Sequence, residues 1–159
     1  MAVILWAAVI FSMSTSTFAA SFTGTALAWI LKVLGIHLTP NEFEDLHFLI
    51  RKLAHLTEYA IFAIFLYHAL EAGRTRAWQW RTALATILIA GLYSLTDEFH
   101  QSFVPGRGPA LHDCALDTVG ATLGTLILYG KGRIFQANNS KSAARNASPE
   151  ESKNGVDGA

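Results

Sequence analysis

Residues 53–70 read LAHLTEYAIFAIFLYHAL. The run is apolar at most positions and close to the about 20 residues that a helix needs to cross a bilayer. Glu58 sits inside it. A carboxylate at that depth costs about 2.5–3.5 kcal/mol on insertion scales, so it requires either a partner or a task. The stretch therefore predicts a membrane helix with a polar feature built into one side.

Working outward, three further stretches have the composition of spans: Ala2 to Ala20, about Thr82 to Ser94, and about Cys114 to Tyr129. The last two are short, so each borrows a turn from its polar flank. Ala2–Ala20 lacks the positive start of a signal peptide, although Ala19, Ala20 and Ser21 resemble a cleavage site; retention as a membrane helix is expected. Phe22 to Ile36 is apolar but short and holds Lys32, which suits an interfacial helix. Thr39-Pro40-Asn41 then breaks the chain, and Thr39 or Asn41 can cap a new helix whose first turns carry Glu42, Glu44 and Asp45.

The fold expected is all-α: a polytopic membrane helical bundle of about four transmembrane helices, with an interfacial helix between the first and second. Its parts are an N-terminal transmembrane helix (1–20), an extracytoplasmic or interfacial segment (21–52), a transmembrane domain (53–130) and a disordered polar cytoplasmic tail (131–159). Composition agrees. Charged residues make up 15% of the chain, against about 25% in a soluble domain, so lipid is the implied solvent and the bilayer the first partner. A formal net charge of zero gives no reason to expect nucleic acid. The single cysteine, Cys114, excludes an intrachain disulfide and a cysteine metal cluster.

Basic residues set the expected orientation. Arg74, Arg76 and Arg81 follow the second span, and Lys131, Arg133, Lys141, Arg145 and Lys153 follow the fourth. The opposite side holds only Lys32, Arg51, Lys52 and Arg107. Loop and C-terminus are thus expected in the cytoplasm, with Trp78 and Trp80 as an interfacial anchor there. The polar cluster is then expected on the extracytoplasmic side of the membrane.

That cluster comes from three segments. Arg51, His55 and Glu58 fall at i, i+4 and i+7, on one helical stripe, followed by Tyr59. Gly91, Ser94, Glu98 and Gln101 form a second stripe; Asp97 reads equally well as a residue facing water at the interface. Asp113, Asp117, Gly120 and Gly124 form a third, whose GxxxG pair lets another helix approach closely. Between the last two, Pro105-Gly106 makes a tight turn that holds Arg107 near the helix ends. Four acids, Glu58, Glu98, Asp113 and Asp117, thus meet Arg51, His55 and Arg107. Such a set is an ion-pair network, a divalent-cation site with oxygen ligands, or a general acid/base centre with His55, Glu58, Glu98 and Asp117 as the catalytic candidates. Nucleophile and phosphate-loop motifs are absent.

RKLAHLTEYAIFAIF (51–65) and SLTDEFHQSFVPGRGPALHDCALDTVGATLG (94–124) resemble the VanZ-like family of bacterial membrane proteins. The resemblance rests on H-x-x-E-Y, then D-E-x-H-Q-x-F-x-P-x-R, then D-x-x-x-D-x-x-G. It implies a small helical membrane domain, named for an accessory to glycopeptide resistance, notably against teicoplanin. The family-like positions are His55, Glu58, Tyr59, Asp97, Glu98, Gln101, Pro105, Arg107, Asp113, Asp117 and Gly120. Arg51-Lys52 departs from the acidic-lysine pair common there. Three functions follow as expectations. The first is an envelope factor binding a lipid-linked precursor or anionic headgroup at the outer leaflet, with Arg51, Arg107 and the acids as its site. The second is an enzyme acting on such a lipid. The third is an assembly protein whose cluster only locks helices.

Overall fold

Thr39 starts the longest uninterrupted apolar element. Its hydroxyl accepts the Glu42 N–H while the Glu42 carboxylate accepts the Thr39 N–H, and Pro40 occupies the first turn. This reciprocal capping box satisfies two donors that a helix start otherwise leaves bare. From there α3 runs unbroken over Pro40–Leu70. The computed structural model describes residues 1–14, 20–72, 78–103 and 111–147, which form five helices and, among these residues, no strand. The others are α1 (Ala2–Met13), α2 (Ala20–Val33), α4 (Trp80–Gln101) and α5 (Leu111–Ala147).

Helices α2 and α3 make an antiparallel hairpin. Gly35 closes α2 at φ +69°, where its N–H reaches Lys32 O and the Ile36 N–H reaches Leu31 O. This is the left-handed helix end that glycine adopts without a Cβ penalty. Gly24 and Thr23 then rest on the His47 ring, with Thr23 Oγ1 2.9 Å from His47 Nε2.

The bundle is α3, α4 and α5, with α1 laid against it. Helices α3 and α5 run parallel, because Gly120 meets Leu56 and Gly124 meets Ala60 four residues further along both. A Cβ on Gly120 would stand 2.4 Å from Leu56 O, and one on Gly124 2.3 Å from Ala60 O, so the two backbones touch. Helix α4 packs against both. Along its length α1 is fastened by Trp6 Nε1, which donates to Glu58 O, and by Tyr93 Oη, which donates to Ala7 O. The apolar core is Ile10, Tyr59, Phe62, Ala63, Leu66, Ala90 and Ala121. At the far end Trp78 stacks on Tyr67 and meets Tyr129 edge-on.

The all-helical expectation holds. Among the described residues one helix, α3, is long and apolar enough to cross a membrane by length and composition. Two differences stand out. Helix α1 ends at Met13, well short of Ala20: Ser14 turns its hydroxyl to Asp97 at the helix end. The chain from 131 is predicted as a disordered tail, yet α5 continues to Ala147. No glycine or proline interrupts 133–147, and its Ala, Gln, Lys and Arg residues have strong helix propensity.

Candidate functional site

The charged and polar residues of three helices converge at the end of the bundle where α1 and α4 finish. Helical spacing explains why both neighbouring acids of α4 are buried. Glu98 lies about 40° round the helix from Ser94, and Asp97 about 60° on its other side. Helix α5 packs on one flank and α1 on the other. Asp97 and Glu98 are each 3% exposed, so the water-facing reading of Asp97 is corrected. The helix that covers it, α1, bears no charge in its sequence to announce the contact.

Asp97 is held by hydrogen bonds at both oxygens. Ser14 Oγ donates to Oδ1 at 2.5 Å, and Gln101 Nε2 donates to Oδ2 at 2.9 Å. The same amide nitrogen donates to Ser14 Oγ at 3.0 Å, closing a three-residue ring between α1 and α4. Asp117 is the second centre and is fully buried. Ser94 Oγ donates to its Oδ2 at 2.6 Å, and its Oδ1 lies 3.3 Å from His55 Nδ1. Tyr59, also 0% exposed, belongs to the adjoining apolar core and meets Phe62 edge-on. In this chain of groups the carboxylate is the middle member. Nucleophilic catalysis needs the imidazole in the middle, taking the serine proton. Here the Ser94 proton is committed to Asp117, so Ser94 orients the carboxylate and Asp117 orients His55.

At the rim Lys52, not Arg51, makes the ion pair across to α5, with Asp113; His112 Nε2 stands 3.4 Å from the same Asp113 oxygen. A cleft of about 450 Å³, counting the space open at its mouth, lies beside these groups. It is lined by Met13, Ser14, Thr23, Arg51, Ala54, His55, Glu58 and Gln101. The stripe of Arg51, His55 and Glu58 is thus one wall, and α1 and α2 contribute the facing one. Among the described residues no ion pair involves Arg51. Nor is any group of three His, Cys, Asp or Glu side chains among them arranged to hold a metal ion. The divalent-cation reading therefore gains no ligand set here. Arg107 and Pro105 lie outside the described residues.

The motifs on these helices find their counterpart in a known family. The family model of VanZ/LLP1 matches residues 1–136. The chain belongs to that family. The VanZ/LLP1 match takes in α1, whose Ser14 completes the Asp97 site, as well as all three cluster-bearing helices. Family membership and the long apolar helix α3 together mark a VanZ/LLP1 membrane protein. No curated protein and no solved structure matches the chain.

Sequence reasoning missed two contributors, Ser14 and Lys52. A serine ending an apolar helix gives no periodic signal. Lys52 lies one residue off the stripe that the other site residues share, although its sequence offset from Asp113 nearly equals that of His55 from Asp117.

Proposed function

We propose that this VanZ/LLP1 protein is a multi-pass protein of the bacterial cytoplasmic membrane that binds an anionic lipid headgroup, such as that of a lipid-linked envelope precursor, at the outer leaflet. The inside-out polarity of the bundle supports the membrane reading. Leu84, Leu88, Leu92, Leu95 and Phe99 form one exposed stripe of α4, and Val119, Leu123 and Leu126 one of α5. Thr82, Thr86, Ser94, Asp97, Glu98, Asp117 and Thr125 are buried instead. Water would reject that exterior, whereas hydrocarbon favours it. Basic flanks keep loop and tail cytoplasmic. From Lys131 back to Asp117 is about 21 Å of helix, a length that supports a position for Asp117 in the outer third of a roughly 30 Å hydrocarbon layer.

The single observation that carries the binding function is Arg51. It lines the cleft while Lys52 and His55 already face carboxylates. A guanidinium beside such a cleft is suited to an incoming phosphate or carboxylate. The test is thermal unfolding of the purified chain in detergent with and without anionic lipid. Arg51→Gln should unfold at the wild-type temperature, within about 0.5 kcal/mol in stability, yet lose the lipid-induced rise in Tm. An equal rise in both proteins would remove the proposal. Any bearing on glycopeptide action would run through the precursor headgroup, and teicoplanin susceptibility of an Arg51→Gln strain reads it.

A second reading is an enzyme acting on such a lipid. The Asp117–His55 contact favours it, because a carboxylate behind one ring nitrogen is how an imidazole is aimed as general acid or base. Conversion of a candidate lipid by wild type and not by His55→Gln would select this reading; unchanged lipid after long incubation would remove it.

A further inference from the structure

We propose that the cleft prefers a terminal phosphate, either a phosphomonoester or the end of a diphosphate, over a phosphodiester. The proposal rests on the headgroup reading above and names the chemistry of that headgroup. It follows from which hydrogen-bond donors remain available. Gln101 spends its amide N–H groups on Asp97 and Ser14. Ser14 gives its hydroxyl proton to Asp97, and Thr23 faces His47. Met13 and Ala54 supply no polar donor, and Glu58 is a carboxylate, so an anion seats toward the Arg51 end of the wall.

Among the described lining residues two groups are left: the Arg51 guanidinium and the ring nitrogen Nε2 of His55, whose Nδ1 faces Asp117. They sit one turn apart on α3, with Cβ atoms about 5–6 Å apart, so one phosphoryl group can touch both. A guanidinium fork takes two oxygens side by side. A phosphodiester has only two unesterified oxygens, and the fork uses both. A terminal phosphate has a third oxygen, which is free for His55. That contact shares a single proton: imidazolium donates to P–O⁻, or neutral Nε2 accepts from P–OH. Both phosphate forms exist near neutral pH because the second ionisation lies at about 6.

The experiment measures binding of the purified full chain in detergent to phosphatidic acid, a phosphomonoester, and to phosphatidylglycerol, a phosphodiester, with identical acyl chains. Wild type should bind phosphatidic acid about tenfold more tightly, the value of one added charge-assisted hydrogen bond. His55→Gln should bring the two lipids within about twofold of each other. Arg51→Gln should weaken both. Equal affinities in wild type, or a preference surviving in His55→Gln, would overturn the proposal and leave the headgroup reading standing. Binding of neither lipid by wild type would overturn both. If His55→Gln fails to fold, competition on wild type decides: glycerol 3-phosphate should displace phosphatidylglycerol, glycerophosphoglycerol should not, and equal displacement overturns the preference. Inorganic phosphate giving the whole effect would support the terminal-phosphate preference and overturn the lipid as its source.

Discussion

The glycine seam between α3 and α5 and the polar end of the bundle adjoin each other, yet opposite means hold them. At the seam, Gly120 and Gly124 present bare backbone to Leu56 and Ala60, and contact is made by removing side chains. One turn away, Ser14, Ser94, Asp97, Gln101 and Asp117 are joined by directed hydrogen bonds, and contact is made by adding donors and acceptors. A seam of the first kind sets where two helices lie. A network of the second kind sets what the side chains between them can do. The seam holds α3 and α5 in register, and that register brings His55 to Asp117.

Breaking the seam should have the larger effect. Gly120→Ala puts a methyl within 2.4 Å of a backbone oxygen that cannot rotate away. It should cost about 3 kcal/mol or more, at the upper end for overpacking, and the folded yield in detergent should collapse on size exclusion. A wild-type yield would show that α3 and α5 separate readily. Next comes the network's centre. Asp117→Ala strands the Ser94 hydroxyl and His55 Nδ1 and should lower stability by about 2 kcal/mol, measured by thermal unfolding without lipid. If it proves as stable as wild type, the network carries no part of the packing.

Ser14→Ala sharpens the comparison at its margin. Gln101 still holds Asp97, so the loss should be about 1 kcal/mol. It should be local, read as faster amide exchange in α1 and not in α3. Exchange that rises equally in both helices would mean that α1 and the bundle unfold as one unit. The smallest effect lies at the Thr39–Glu42 capping box, far from both regions. The Thr39 N–H and hydroxyl hold the exposed Glu42 carboxyl below its ordinary pKa of 4.5. A lowered acid contributes its full stabilisation above that ordinary value and loses it as pH falls through the lowered one. Protection of the α3-start amides, taken relative to the intrinsic exchange rate at each pH, should therefore fall in acid in wild type and change less in Glu42→Gln; identical acid responses would discount the box.

Much of this arrangement could be read in the sequence wherever a periodic pattern carried it. The helical class follows from apolar runs, and Arg51, His55 and Glu58 share a wall because 3.6-residue periodicity puts them there. What could not be read depends on partners distant in sequence. Asp97 looked as fit for water as for burial, since nothing local reveals that α1 lies over it. Lys52 and Arg51 are adjacent cations, and only the placement of α5 decides which one meets Asp113. The end of α1 and the continuation of α5 to Ala147 are not legible in the sequence for a different reason. Both depend on weak local preferences rather than on a buried face.

Helix α3 carries a mechanical consequence. Over Pro40–Leu70 it contains no glycine, and its only proline stands at the start, so nothing along it can bend easily. It is a lever of about 46 Å, gripped near its middle where Leu56 and Ala60 bear on α5. Were the helix to tilt there, His55 beside that contact would move least, and the hairpin end and the Leu70 end would move in opposite senses. A push on the hairpin would thus reach the far face of the bundle as a displacement, leaving the imidazole where Asp117 holds it.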